Sequence, residues 1–370
     1  MNRLRVHTPP EPAGSYDVWI EPGILSRLPE IIREVTGSTR CVVISDAVVA
    51  DMLGERVRRD LEGAGFAVDL LRFPAGEQAK NRESWGSVID SVANRGLGRD
   101  DAVVALGGGV TGDLGGFVAA TYMRGVALVQ VPTSLLSMVD ASIGGKTGLD
   151  TPVGKNLIGA FHQPAAVVVD PETLASLPAD HFRAGLAEAV KHAAIADADY
   201  LDWIAANAAS IDAQEPAALG HLIRRSVEIK AEVVADDPLE RDRRQVLNFG
   251  HTFAHALETW TGYRTLHGFA VAIGSVAAAE LGERTGTSRP GTAHRLSEAL
   301  SMLHLPLRPT GGVPAERILE LARQDKKARG GAIRYVLLAG IGEVARGPDG
   351  GWSVPVDDGV VAAVLEDLWQ

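Results

Sequence analysis

The apolar run Ala102-Val103-Val104-Ala105-Leu106 leads directly into Gly107-Gly108-Gly109-Val110-Thr111-Gly112-Asp113. A buried strand that breaks into glycines and restarts as a helix admits few folds. Gly107, Gly109 and Gly112 satisfy G-x-G-x-x-G, in the strand–turn–helix context that lets backbone N–H groups approach a pyrophosphate at a helix N-terminus. The preceding chain suits it. Tyr16 to Ile20 alternates as a strand, and a short helix is expected from Gly23. Cys41 to Asp46 and Ala67 to Phe73 read as strands, and Val48 to Gly63 and Asn81 to Arg95 as helices. Short apolar runs alternating with helices predict an α/β domain with a largely parallel sheet. Two details depart from the ordinary dinucleotide fingerprint. The glycines lie deep in the domain, and no acid follows about 20 residues later, where Val129 and Gln130 stand. Asp46, closing an earlier strand, is the candidate ribose contact.

Pro132-Thr133-Ser134 then leads to Asp140 and on to Gly144-Gly145-Lys146-Thr147. The last of these resembles the end of a Walker A loop, but Asp140 stands where that motif needs its first glycine. Arg124, Lys146, Lys155 and Asn156, expected on loops after strands, read together as anion ligands.

From about Leu177 the chain turns to long helical periodicities, placing a domain boundary near Pro178, with residues 1–178 and 179–370 as the two units. The 370 residues suit two domains. Within the second, Leu247 to Glu258 read as one helix puts Asn248, His251, His255 and Glu258 on one face. Polar groups turned inward need partners, and inward imidazoles often find a metal. Thr252 after the first histidine excludes the His-Glu-x-x-His motif. Glu188, in the Ala184 to His192 helical stretch with Lys191 one turn on, is surrounded by apolar residues and reads as an inward ligand. Glu188 with two histidines makes a three-ligand site of the catalytic kind. The residues themselves leave His255 and His267 open as the partner of His251. Further basic positions, Arg224, Arg225, Lys230, Arg243, Arg244 and the Asp325-Lys326-Lys327 run, would form a phosphate- and carboxylate-binding pocket if they converge. A strand is expected from Ile333 to Leu338.

Composition excludes several classes. A net charge of −11 argues against a nucleic-acid surface. Cys41 is the single cysteine, which excludes an internal disulfide and any cysteine-rich zinc site. No apolar run approaches the roughly 20 residues of a membrane span. Met1 to Pro10 carries no signal-peptide core, so the expected location is the cytoplasm.

Taken together these motifs resemble the 3-dehydroquinate synthase family of sugar-phosphate cyclases. The resemblance runs from about Phe73 to Gly342. It rests on Phe73-Pro74-Ala75-Gly76-Glu77-Gln78-Ala79-Lys80, the glycine loop through Asp113, Ala119 to Gly125, Val131 to Leu136, Gly144 to Thr147 and Gly154-Lys155-Asn156. Gly185 to Glu188, Ile229 to Glu232, the histidine stretch and Asp325-Lys326-Lys327 add to these. It implies a Rossmann-like NAD domain followed by an all-α domain with one divalent metal, zinc or cobalt, in the cleft between. It implies Glu188, His251 and His267 as metal ligands, and His255 as a substrate contact and proton carrier. Arg124, Lys146, Asn156, Lys191, Lys230, Arg244, Asn248 and Lys326 or Lys327 would contact substrate. Asp46, Glu77, Lys80, Gly108, Gly109, Val110, Asp113, Thr133, Ser134, Asp140, Lys146 and Lys155 would surround NAD. A homodimer and a place in the shikimate pathway are implied likewise. One departure is His267-Gly268-Phe269 where the family usually reads His-Gly-Glu, which bears on the surroundings of the metal and on a related cyclase of secondary metabolism, such as an amino-dehydroquinate or sedoheptulose 7-phosphate cyclase.

The implied reaction turns 3-deoxy-D-arabino-heptulosonate 7-phosphate into 3-dehydroquinate through transient oxidation, phosphate elimination, re-reduction and an internal aldol step, formally a lyase without net redox change. A metal-dependent NAD alcohol or polyol dehydrogenase shares the two-domain plan, but needs no dense basic pocket.

Overall fold

The computed structural model describes residues 14–328 and 333–369, apart from the side chains of residues 324–328. Six strands form one parallel sheet in the order β1-β8-β5-β4-β2-β3. They are β1 (Asp17–Ile20), β2 (Arg40–Asp46), β3 (Ala67–Phe73), β4 (Ala102–Gly107), β5 (Ala127–Pro132) and β8 (Ala166–Val169). Alternation along each strand explains why both faces are covered. Cys41 and Val43 join one apolar cluster, with Val104 and Leu106, while Val42 and Ile44 join the other, with Val103 and Ala105. Successive side chains point to opposite faces, so a near-continuous apolar run serves two cores. The expected helix over 48–63 is helical throughout 47–63, with one wide turn at Ala50–Gly54. Ahead of it, Ile24–Arg27 forms a tight turn that runs into the Leu28–Thr36 helix.

The strand order reverses between β2 and β4. Asp46 and Gly107 end these strands, so the glycine loop sits at the switch point where ligands of open α/β sheets bind. The Gly109–Thr121 helix follows at once.

Beyond β5 the chain departs from the loops expected there. Lys146 and Lys155 lie on an antiparallel hairpin, β6 (Lys146–Thr151) and β7 (Gly154–Phe161). Consecutive strands joined across a two-residue connection pair readily; the glycines of this stretch had read as loop punctuation.

The helices begin at Ala179. Their apolar core continues onto Val167 and Val169 of β8 and onto Leu135, Met138 and Val139, so the helical half is built against the sheet's flank. This half is not purely helical. A two-stranded sheet, β9 (Leu338–Gly340) with β10 (Glu343–Val344), and a bridge from Tyr335 to Val354 replace the single strand expected over 333–338.

The histidine stretch is also reorganised. Arg243–Asn248 forms a short 3-10 turn, and the α-helix runs His251–Trp260 with Gly250 at its N-cap, φ 78°. Asn248 therefore precedes the helix. Glycine takes the left-handed conformation without a Cβ clash, which lets the chain turn between Asn248 and His251.

Gly268 sets the closest helix approach. A Cβ there would lie 1.8 Å from the carbonyl oxygen of Ala184. The contact joins the Ala179–Ala196 and His267–Arg284 helices, which carry Glu188 and His267. Gly268→Ala must push them apart. We expect it to lower stability by about 1–3 kcal/mol or more and to weaken divalent-metal binding, read by thermal unfolding and by zinc titration.

Candidate active site

Three side chains from three helical segments meet at one point. Glu188 is buried, and its Oε1 lies 3.3 Å from His267 Nε2 and 3.8 Å from His251 Nε2. One ligand atom from each residue falls within 4.8 Å of the others. His251 Nδ1 faces the carbonyl oxygen of Phe249 at 3.1 Å, and His267 Nδ1 faces Glu258 Oε1 at 3.4 Å. Each ring thus has one nitrogen oriented by an acceptor and the other turned to Glu188, the arrangement of metal-ligating histidines. A carboxylate and two imidazoles suit zinc or a similar divalent ion with open positions. The donor set fits the metal that the sequence pattern implied.

Electrostatics follow from this packing. Burial by itself would raise the Glu188 carboxyl, but Lys191, whose Nζ is 2.5 Å away, holds it well below the usual carboxylate range. Burial pushes His251 down to about 3, so it is a neutral donor. Burial would lower His267 too, but the Glu188 and Glu258 carboxylates bring it up to about 10.

Asp140, expected beside NAD, lies close to Glu188, Lys191 and His192. Its Oδ1 lies 2.9 Å from Lys230 Nζ, 3.2 Å from His192 Nε2 and 3.6 Å from Lys191 Nζ. Burial would raise this carboxyl; Lys191, Lys230 and His192 draw it well below its ordinary value. Lys230 also donates to the Asp140 carbonyl at 2.6 Å. Arg244 is buried and donates to the carbonyls of Pro238 and Gly144 at 2.7 and 3.0 Å, while its Nε has no hydrogen-bond partner among the described residues. A buried unpartnered guanidinium donor is costly unless an acceptor arrives.

Glu240 holds a third group. Its carboxylate pairs with Lys146 and accepts from Asn248 Nδ2 at 3.0 Å. Lys146 and Asn248, separated by a hundred residues in sequence, thus converge on one carboxylate and are placed to hold an anion. His255 follows His251 by one turn, the ring centroids 5.5 Å apart, and lies 6.4 Å from His267.

On the nucleotide side, Lys80 is buried, with its Nζ 3.0 Å from Glu77, 3.1 Å from Asp113 and 3.6 Å from Asp150. Burial would lower this ammonium, but the three carboxylates raise it. Asp46 accepts from Thr111 Oγ1 at 3.2 Å and from the Val48 and Val49 N–H groups. The Thr133 N–H donates to the Gly107 carbonyl at 2.9 Å. Ser134 Oγ would be 3.4 Å from a Cβ on Gly108. The helix that starts with Gly109 and Val110 has no side-chain N-cap, so its first N–H groups are available to a phosphate. The loop fits a dinucleotide.

Two expected contacts are exposed. Arg124 is exposed on the turn after the Gly109–Thr121 helix, φ 68°, and makes no ion pair among the described residues. Asn156 is exposed on β7, φ 54°, its N–H donating to Asp150. The side chains of Lys326 and Lys327 lie outside the described residues. Sequence reasoning missed Glu240 and His192 altogether, and saw Glu258 only as one of a polar face. Glu258 was legible as an acid seven residues after His251, whereas Glu240 sits in an irregular turn, φ 56°, that no periodicity marks.

Residues 70–184 match the family described as 3-dehydroquinate synthase N-terminal, and residues 185–328 match 3-dehydroquinate synthase C-terminal. The chain belongs to the 3-dehydroquinate synthase family. A 3-dehydroquinate synthase of Symbiobacterium thermophilum is 46% identical over 336 residues, covering 90% of this chain and 94% of that one. Among solved structures, 2-epi-5-epi-valiolone synthase from Streptomyces hygroscopicus subsp. jinggangensis 5008, with NAD+ and Zn2+ bound, aligns over 99% of both chains at TM-score 0.89 and 30% identity. A 2-deoxy-scyllo-inosose synthase complexed with carbaglucose-6-phosphate, NAD+ and Co2+ aligns over 95% of this chain and 96% of that one, at TM-score 0.87 and 25% identity. The family's usual acid after His-Gly is Phe269 here, partly buried against the helical core; the carboxylate at His267 Nδ1 comes from Glu258.

Burial, with Lys191 and Arg244 nearby, brings Lys230 down to about 8 despite Asp140. Its positive charge is therefore lost as pH rises past about 8. If that charge holds substrate, kcat/KM falls there, and Lys230→Arg moves the fall to higher pH. Stability runs the other way. An unfolded lysine keeps its proton to about 10.4, so between about 8 and 10.4 the unfolded chain binds more protons at this position and the native state gains with pH. Wild type should gain on Lys230→Met in Tm across that window.

Proposed function

We propose that this chain converts 3-deoxy-D-arabino-heptulosonate 7-phosphate to 3-dehydroquinate and inorganic phosphate, with NAD used catalytically and one divalent ion. The observation that carries the reading is a Glu188–His251–His267 donor set, Glu188 buried, with Lys191 against it, Lys230 reached through Asp140, and Arg244, Lys146 and Asn248 gathered around Glu240. Such a density of cations beside a metal site suits a substrate with two separate anions. The 46% identity to a curated 3-dehydroquinate synthase supports the substrate. In this reading residues 1–178 carry NAD and residues 179–370 the metal and most substrate contacts. Zinc suits the nitrogen and oxygen donors. A cytoplasmic homodimer of the shikimate pathway belongs to the same proposal. No helix among the described residues is long and apolar enough to cross a membrane.

When bound, NAD would accept and return a hydride and the ion would polarise the reacting oxygen. The chain's own residues do the rest. Glu188, His251 and His267 would hold the ion, and the glycine loop with Asp46 would hold NAD. Lys230 and Arg244 form one anion site, with the Arg244 Nε still to be satisfied. Lys146 and Asn248 form the other, where the Glu240 carboxylate now sits. An arriving phosphate displaces Glu240 from these two groups. His255, one turn beyond His251, is placed to move a proton at the substrate. Positioning of both anions in a shielded cleft supplies much of the rate advantage.

NADH absorbance and inorganic phosphate followed in the same cuvette test the cycle. We expect many equivalents of phosphate per enzyme without a steady rise in NADH, and saturation at catalytic NAD. Chelation should abolish turnover, and zinc or cobalt should restore it. Stoichiometric NADH without phosphate would place the chain among the dehydrogenases. Phosphate release from sedoheptulose 7-phosphate but not from the heptulosonate would keep the cycle and change the substrate.

A further inference from the structure

Glu258 lies outside the ligand set, yet its side chain is only 3% exposed and one oxygen serves two cationic groups. Oε1 is 3.4 Å from His267 Nδ1 and 3.2 Å from Lys155 Nζ. Lys155 comes from β7, in the hairpin that lies against the glycine-loop helix, whereas Glu258 comes from the histidine helix. The same ammonium reaches Glu77 at 3.4 Å and stands 4.6 Å from the centre of the Tyr263 ring. A buried carboxylate holds a fixed orientation only when its partners fix it.

We propose that Lys155 and Glu258 act as a pair of positioning residues for the metal centre, the lysine holding the carboxylate and the carboxylate holding the His267 ring. With Nδ1 engaged by Glu258, the tautomer is set and Nε2 is left to point at Glu188, 3.3 Å away. The consequences of losing Lys155 are unequal on its two sides. Glu77 keeps Lys80 at 3.0 Å. Glu258 keeps the imidazole it is meant to orient and the nearby His255 ring, but loses its one ammonium partner among the described residues. Loss of the lysine therefore falls on the metal rather than on the fold of the nucleotide side. This assigns to Lys155 a role beyond the nucleotide contact expected of it, and it rests on Glu188, His251 and His267 being the ligands.

The test is metal binding by nucleotide-free, metal-stripped protein. Zinc affinity is measured by competition with a fluorescent chelator, and coordination geometry by the visible absorbance of bound Co2+. Wild type should bind one ion and His251→Ala should lose it; any other result there overturns the ligand assignment itself. Given that control, Glu258→Gln should weaken zinc by about 10- to 100-fold and alter the Co2+ spectrum. Lys155→Met should weaken it within the same range, and Lys155→Arg should restore most of the affinity. The double variant should bind no more weakly than Glu258→Gln alone, because the lysine acts through the carboxylate. A Lys155→Met protein with wild-type zinc affinity and Co2+ spectrum, whatever its Tm, overturns the proposal, as does a double variant whose losses add.

Discussion

The negative charge of Glu188, 1% exposed, is the constraint on which the helical half depends. A carboxylate taken out of water is costly by several kcal/mol unless cations and hydrogen bonds surround it. Lys191 meets it one turn along the same helix, and His251 and His267 meet it from two others. For His267 to arrive, the two helices must approach to backbone contact, and Gly268 against Ala184 permits that. For His251 to arrive, the chain must turn sharply after Asn248, and Gly250 permits that. The glycines and the two histidines are thus parts of one solution to one electrostatic demand.

The same demand spreads outward as alternating charge. Lys191 is shared with Asp140, which is shared with Lys230 and His192. Glu258 is shared between His267 and Lys155, and Lys155 with Glu77, which leads to Lys80 and Asp113. The second chain of contacts joins the glycine-loop helix to His267 through side chains alone. The β6–β7 hairpin is what carries them across, since Lys146 and Lys155 lie at opposite ends of its two strands and reach different acids of the helical half.

Related cyclases share this frame at high structural similarity, so the frame alone does not choose the sugar phosphate. That choice belongs to the groups that read its anions and hydroxyls. Lys230 is held by Asp140, Lys146 and Asn248 by Glu240 with Arg244 close to that carboxylate, and Phe269 packs against the apolar core.

The sequence by itself determined the parallel sheet, because a two-faced apolar run such as Cys41 to Ile44 has no other stable use. It determined the glycine turn, because three glycines between a strand and a helix leave the backbone open to a phosphate. It pointed to Glu188 and His251 as inward groups, because each lies on a polar stripe of a helical stretch flanked by apolar residues. It did not choose between His255 and His267 without the family resemblance. Local periodicity reports which face a side chain takes, not which residue from another helix it meets. Only the tertiary structure decided that Asp140 meets Lys191, His192 and Lys230, that Glu240 gathers Lys146 and Asn248, and that Glu258 meets both His267 and Lys155. Each of these joins positions far apart in the chain through irregular turns or a hairpin. Pairing at such distance depends on how helices and sheet pack, which no short window of sequence contains.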